Sequence, residues 1–126
     1  MKKLSLFNRF DYEAFTKDKV MLAIASEEKY EYVDGKASDK FAHTVYKCII
    51  ASDKTEYVNP HTNERYEDVS NQGEPLNVKV YGRAKEFKPM SQFRLVNPRA
   101  TIWGEYQNNL SVTADDIEFA QQQRKE

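Results

Sequence analysis

The chain has 126 residues, 40% of them hydrophobic, and its 19 Lys and Arg against 20 Asp and Glu give a formal net charge of -1. This size and composition specify one globular domain able to bury a core, and the charge balance excludes a protein that coats nucleic acid over its whole surface. No apolar run approaches the roughly 20 residues that span a bilayer, and Asn8, Arg9 and Asp11 break any signal-peptide core after Met1-Lys2-Lys3-Leu4, so a soluble cytoplasmic protein with no membrane partner is expected.

From Met1 to Lys19 two readings stand: Phe7, Phe10 and Phe15 seat an N-terminal arm on the domain, or Asp11 to Phe15 makes one helical turn. Val20 to Ile24 then begins a strand that runs on through Tyr30-Glu31-Tyr32-Val33, with a bend at Ser26-Glu27-Glu28 as an option. Asp34-Gly35 signals a hairpin, because glycine accepts the positive φ of a tight turn. The return strand is Phe41 to Ala51, with Val45, Cys48 and Ile50 as its apolar positions and Thr44, Tyr46 and Lys47 marking a less buried side. Cys48 has no cysteine partner and sits in an apolar run, the setting of a buried, inert thiol.

Ser52 to Pro75 is rich in turn formers, including Asn59-Pro60, Asn63 and Asn71-Gln72-Gly73, and reads as a long loop. Leu76 to Gly82 alternates with strand period, setting Leu76, Val78 and Val80 against Asn77, Lys79 and Tyr81. Phe93 to Val96 is a further strand, stopped by Asn97-Pro98, with Phe93 assigned to the core and Phe87 left open. Ala100 to Tyr106 and Leu110 to Thr113 form a hairpin around Gln107-Asn108-Asn109, and Ala114 to Phe119 is either a short last strand or a turn capped by its aspartates.

These elements predict an all-β fold: a small closed or partly open antiparallel barrel, OB-like, with a long loop and little helix. Residues 1–120 form the single domain, and 121–126 are expected to be a disordered tail.

The search for catalytic chemistry is largely negative. His43 and His61 are the only histidines and do not have metal-ligand spacing, no glycine-rich phosphate cradle is present, and neither a cofactor nor a metal site is expected. Asp115-Asp116 reads as a turn or cap in preference to a cation site, because hard cations need further oxygen ligands. A binding module is therefore expected over an enzyme, a nuclease using Asp115 and Asp116 with a divalent metal being the enzymatic alternative.

The positive charge is unevenly placed. Between Asn77 and Trp103 the chain has six cations, Lys79, Arg83, Lys85, Lys88, Arg94 and Arg99, against one carboxylate, Glu86, with Tyr81, Phe87, Phe93 and Trp103 among them. Cations neutralise a phosphate backbone while ring faces stack unpaired bases, so this interleaving suits single-stranded nucleic acid. The competing reading is a solvated strand face. Lys79, Tyr81, Arg83, Lys85, Lys88, Arg94, Arg99, Trp103 and Tyr106 are the candidate contacts, and all of these but Arg94 are expected to line one groove.

The run Phe93-Arg94-Leu95-Val96-Asn97-Pro98, a hairpin, and Leu110-Ser111-Val112-Thr113-Ala114-Asp115-Asp116-Ile117 resemble the C-terminal signature of the YdcP-like proteins of Gram-positive integrative and conjugative elements. Similarity covers about the last third, with a looser likeness around Asp34-Gly35 and Ser38-Asp39. The resemblance implies a small β-rich protein assisting mobile-element DNA replication, a group that includes a helicase processivity factor acting with a host helicase. It also implies that Asn97-Pro98 and Asp115-Asp116 serve either folding or DNA contact. Expected partners are thus single-stranded or forked DNA and a host helicase or other replication protein, the alternative being an adaptor that docks on such a protein without touching DNA. An exposed edge strand leaves homo-oligomerisation open.

Overall fold

The computed structural model describes residues 11–59, 61–104 and 109–120. Asp34 and Gly35 both take positive φ, 52° and 78°, the backbone of a two-residue hairpin turn whose twist matches its strands. That turn joins β1 (Lys19–Val33) to β2 (Lys36–Asp53), so the return strand begins earlier and ends later than Phe41 to Ala51. The register slips around Ile24 and again around Tyr30 to Tyr32, whereas Ser26, Glu27 and Glu28 pair regularly with Tyr46, Val45 and Thr44. At the N-terminal end the helical alternative holds: α1 (Tyr12–Thr16) is capped by the Asp11 carboxylate, which accepts from the Ala14 amide at 3.1 Å.

The remaining strands are β3 (Pro75–Val80), β4 (Ser91–Val96), β5 (Arg99–Trp103), β6 (Asn109–Ala114) and β7 (Asp116–Phe119), the last settling the choice between strand and capped turn. The sheet order is β5-β6-β3-β2-β1-β4-β7, antiparallel except where β3 runs parallel to β6, and the curled sheet makes a small, partly open all-β barrel. β4 and β5 lie toward opposite ends of this order, yet only Asn97 and Pro98 separate them. Likewise only Asp115 separates β6 from β7. Residues 91–103 and 109–119 therefore pair as one long ribbon, bent at a corner, whose halves reach β1 and β3.

Inside the curl lie Met21, Ala23, Tyr46, Cys48, Ile50, Leu76, Val78, Val80, Val112, Ala114 and Ile117. The alternation read from Leu76 to Val80 is thereby realised, and Cys48 is a buried free thiol whose pKa is pushed up to about 12 by burial. Phe93 packs partly buried against this core as expected, and Phe87 joins it by stacking on Phe119 at 4.4 Å.

One assignment on β2 is corrected: Thr44 and Tyr46 are fully buried beside Cys48 and Ile50, while Val45 and Lys47 point outward. Burial of these two polar side chains is supported by distant partners, since the Thr44 hydroxyl donates to the Gly82 carbonyl at 2.7 Å and the Tyr46 hydroxyl accepts from the Lys85 amide at 3.0 Å.

The stretch between β2 and β3 is irregular apart from one bridge between Val58 and Arg65, and it is anchored at its base. The Asp53 carboxylate accepts from the Tyr57 hydroxyl at 2.6 Å, the Asn71 amide at 2.7 Å and the Thr55 amide at 3.1 Å, with the Lys19 ammonium 3.5 Å away. Burial alone would raise the pKa of this carboxyl, but the hydrogen bonds prevail and hold it below the ordinary carboxylate range.

Beyond Ala23 on β1 and Thr44 on β2 neither strand pairs with a further strand among the described residues, and the two continue to the Asp34-Gly35 turn as a two-stranded arm. Its outer part carries Tyr32, 77% exposed, and Val33. The tail from Gln121, the hairpin turn with Tyr106, and Phe7 and Phe10 lie outside the described residues.

Candidate nucleic-acid interface

Strand parity sorts the nine candidates. Because Leu76, Val78 and Val80 are buried, Asn77 and Lys79 point out of the curl, and Tyr81 continues that side, its ring 6.4 Å from the ring of His43. On the neighbouring hairpin Ala100 and Ile102 pair with Val112 and Leu110, the inward positions of β6, so Arg99, Thr101 and Trp103 point outward. Register then places Arg99 beside Thr113, Thr113 beside Lys79, Lys79 beside Val45 and Val45 beside Glu27 in one row across five strands. One step along, Thr101 pairs with Ser111 on β5–β6, and Asn77 pairs with Lys47, itself beside Ala25, on β3–β2–β1.

This outer face therefore displays Lys79, Tyr81, Arg99 and Trp103 among the predicted contacts, and adds Lys29, His43 and Lys47, which sequence reasoning missed. A strand period read from the Asp34-Gly35 turn is confounded by the register slips, and Thr44 and Tyr46 disguise the inward side of β2. Tyr81 is 59% and Trp103 57% exposed. Glu27 lies 3.1 Å from the Lys29 ammonium and 4.0 Å from that of Lys47, and Asp115 lies 2.8 Å from the Arg99 guanidinium. Lys79 has no carboxylate within ion-pair distance among the described residues. Partial burial, followed by the charges of Lys79 and Lys29, lowers the pKa of His43.

Arg83, Lys85, Lys88 and Arg94 are placed elsewhere. The segment after Gly82 turns over the inward side of the arm, where the Arg83 guanidinium sits 4.2 Å from the Phe41 ring centroid and 3.5 Å from Glu28. Lys85 reaches across the barrel end to Asp116 at 3.0 Å and donates to the Ile117 carbonyl at 2.9 Å. Arg94 pairs with Glu118 across β4 and β7. Lys88, with Ile24, Ala25, Phe87 and others, lines an open groove of about 660 Å³. The candidates thus do not line one groove: Lys79, Tyr81, Arg99 and Trp103 share the outer face, Arg83 lies against the arm, Lys88 in the groove beside β1, Lys85 at the barrel end and Arg94 on the β4–β7 pair, and Tyr106 is outside the described residues.

The corner explains the residues that carry the resemblance. Asn97 takes the left-handed conformation at φ 49°, which asparagine tolerates better than most residues, and its amide donates to Asp115 at 3.1 Å. The Asp115 amide in turn donates to the Val96 carbonyl at 2.9 Å. Hydrogen bonds from Arg99 and then Asn97 hold the Asp115 carboxyl below its ordinary range, and Lys85 does the same for Asp116. Both aspartates thereby bind the bend together. Among the described residues no group of three or more His, Cys, Asp or Glu side chains converges as a metal site, and no helix is long and apolar enough to cross a membrane.

Comparisons with profiles of protein families, with curated proteins and with solved structures gave no match.

Proposed function

We propose that this chain is a non-catalytic accessory protein of mobile-element DNA replication that binds single-stranded or forked DNA through the outer face of β5-β6-β3-β2-β1 and supports the processivity of a host helicase. The observation that carries the DNA contact is Lys79: a cation with no carboxylate neighbour among the described residues, set between two exposed rings on one sheet face. A ring face stacks on a base of any sequence once that base is unpaired, and the ammonium neutralises the adjoining phosphate. The resemblance of the last third to YdcP-like proteins supports the replication setting.

Trp103 is the single tryptophan, so intrinsic fluorescence reports on this face. Titration with single-stranded, forked and duplex DNA at two salt concentrations is expected to quench that fluorescence with the unpaired substrates, more weakly at the higher salt. Addition of the helicase is expected to lengthen unwinding. An absence of salt-sensitive binding to any unpaired substrate would remove the DNA contact.

The two-stranded arm favours a second reading, a protein-docking adaptor, because it offers free strand edges and the exposed Tyr32 and Val33 away from the cationic face. Under that reading Tyr32→Ala abolishes helicase pull-down and leaves oligonucleotide affinity unchanged. Loss of both in the same variant counts against an adaptor role separate from DNA.

A further inference from the structure

Resting on the DNA-binding reading above, we infer that the outer face is a diagonal single-strand track of defined length, with Tyr81 and Trp103 as its two end platforms. Register fixes their relation. Val80 lies level with Ala114 and Trp103 with Asn109, so the two rings sit at opposite ends of the β3–β6–β5 face and two strands apart. Strand geometry converts this to about 20 Å along the strands and about 10 Å across them. A single strand spaced between about 3.4 Å per nucleotide and roughly twice that covers the distance with about three to six nucleotides.

The ground between the rings is suited to a backbone. Lys79 and Asn77 on β3, Thr113 and Ser111 on β6, and Thr101 on β5 project outward in adjacent rows, supplying one ammonium, one amide and three hydroxyls with no carboxylate among them. The cations nearest its flanks, Lys47 and Arg99, are associated with Glu27 and Asp115, which leaves Lys79, two residues from Tyr81 on β3, as the unmatched charge at that end of the track among the described residues. An outward sheet face has no groove walls to hold a duplex, and stacked base pairs leave nothing for two separated rings to grip. The ligand is therefore an unpaired strand long enough to touch both rings.

The experiment is a length series of oligothymidylates from two to ten nucleotides at low salt, each 5′-labelled and followed by fluorescence anisotropy with the full chain. Affinity is expected to rise by about tenfold where the oligonucleotide first spans both rings, and then to grow slowly with the number of binding registers. Tyr81→Ala should erase the break and leave the shortest oligonucleotides unchanged, with Tyr81→Phe restoring it and circular dichroism verifying the fold of each. A smooth rise with length, or a break that survives in Tyr81→Ala, overturns the track while leaving DNA binding itself intact. Failure of every length to bind overturns both.

Discussion

The outer face and the corner use the same kinds of residue for different ends. At the corner and the adjoining barrel end, Lys85, Arg94 and Arg99 meet Asp116, Glu118 and Asp115, and Arg83 meets Glu28, so these cations are matched within the chain. On the face, Lys79 stands beside Thr113 and Val45 with no acid of its own among the described residues. Nearness in sequence therefore says less about a shared binding surface than strand parity and the position of carboxylates do. Arg99 belongs to both regions, displayed outward yet tied to Asp115, which makes it the hinge of the contrast.

Variants that separate folding from binding test this contrast most directly. Ile117, fully buried at the start of β7, anchors the corner in the core, and Ile117→Ala is expected to cost about 2–5 kcal/mol in urea unfolding. Tyr81→Ala on the face is expected to weaken oligothymidylate binding by about 1–3 kcal/mol while its unfolding midpoint stays essentially that of the parent. Lys85→Ala should do the reverse, costing about 1 kcal/mol of stability, a modest figure because the ammonium is partly exposed, with oligonucleotide affinity kept. A fall in affinity equal to that of Tyr81→Ala would move the barrel end into the binding site and dissolve the distinction.

Acid should divide the two regions more gently. The Asp115 and Asp116 carboxyls are held below their ordinary range, so their stabilising contribution is complete above about pH 4 and is lost as pH falls through the lowered values. His43 has its protonated form disfavoured by burial and by Lys79 and Lys29, so near neutrality it is uncharged. It gains charge on the face only as pH falls through its lowered value, beneath the ordinary value of about 6.5, and a bound phosphate favours that form. Oligonucleotide affinity, read by anisotropy, is expected to rise as pH falls below about 6.5, and His43→Gln should flatten the rise.

Local signals made part of this arrangement legible. Asp34-Gly35 announces its turn, and Leu76, Val78 and Val80 announce their face, because each depends on neighbours only a few residues away. Thr44 and Tyr46 were misread because their burial depends on Gly82 and the Lys85 amide, 38 and 39 residues on. The parallel pairing of β3 with β6 left no trace in either strand's pattern, and without it Trp103 cannot be placed relative to Tyr81. The candidate cations were found by type, but whether each was matched depended on carboxylates as far away as Glu28 from Arg83. Lys47 reads as an outward lysine but lies outside the basic run from Asn77 to Trp103, and only the pairing of β2 with β3 brings it to the same face.

The bent ribbon of residues 91–103 and 109–119 also governs how the chain reaches its fold. The β1–β2 pair closes around a two-residue turn and can assemble locally, whereas the final ribbon must reach back to β1 with one half and to β3 with the other. During synthesis it is the last of the strands to emerge, and until it docks both β1 and β3 present open edges to neighbouring molecules. One late event covers β1 at Leu22 and Ala23 and β3 at Val78 to Val80, so premature termination before the corner exposes two aggregation-prone edges at once.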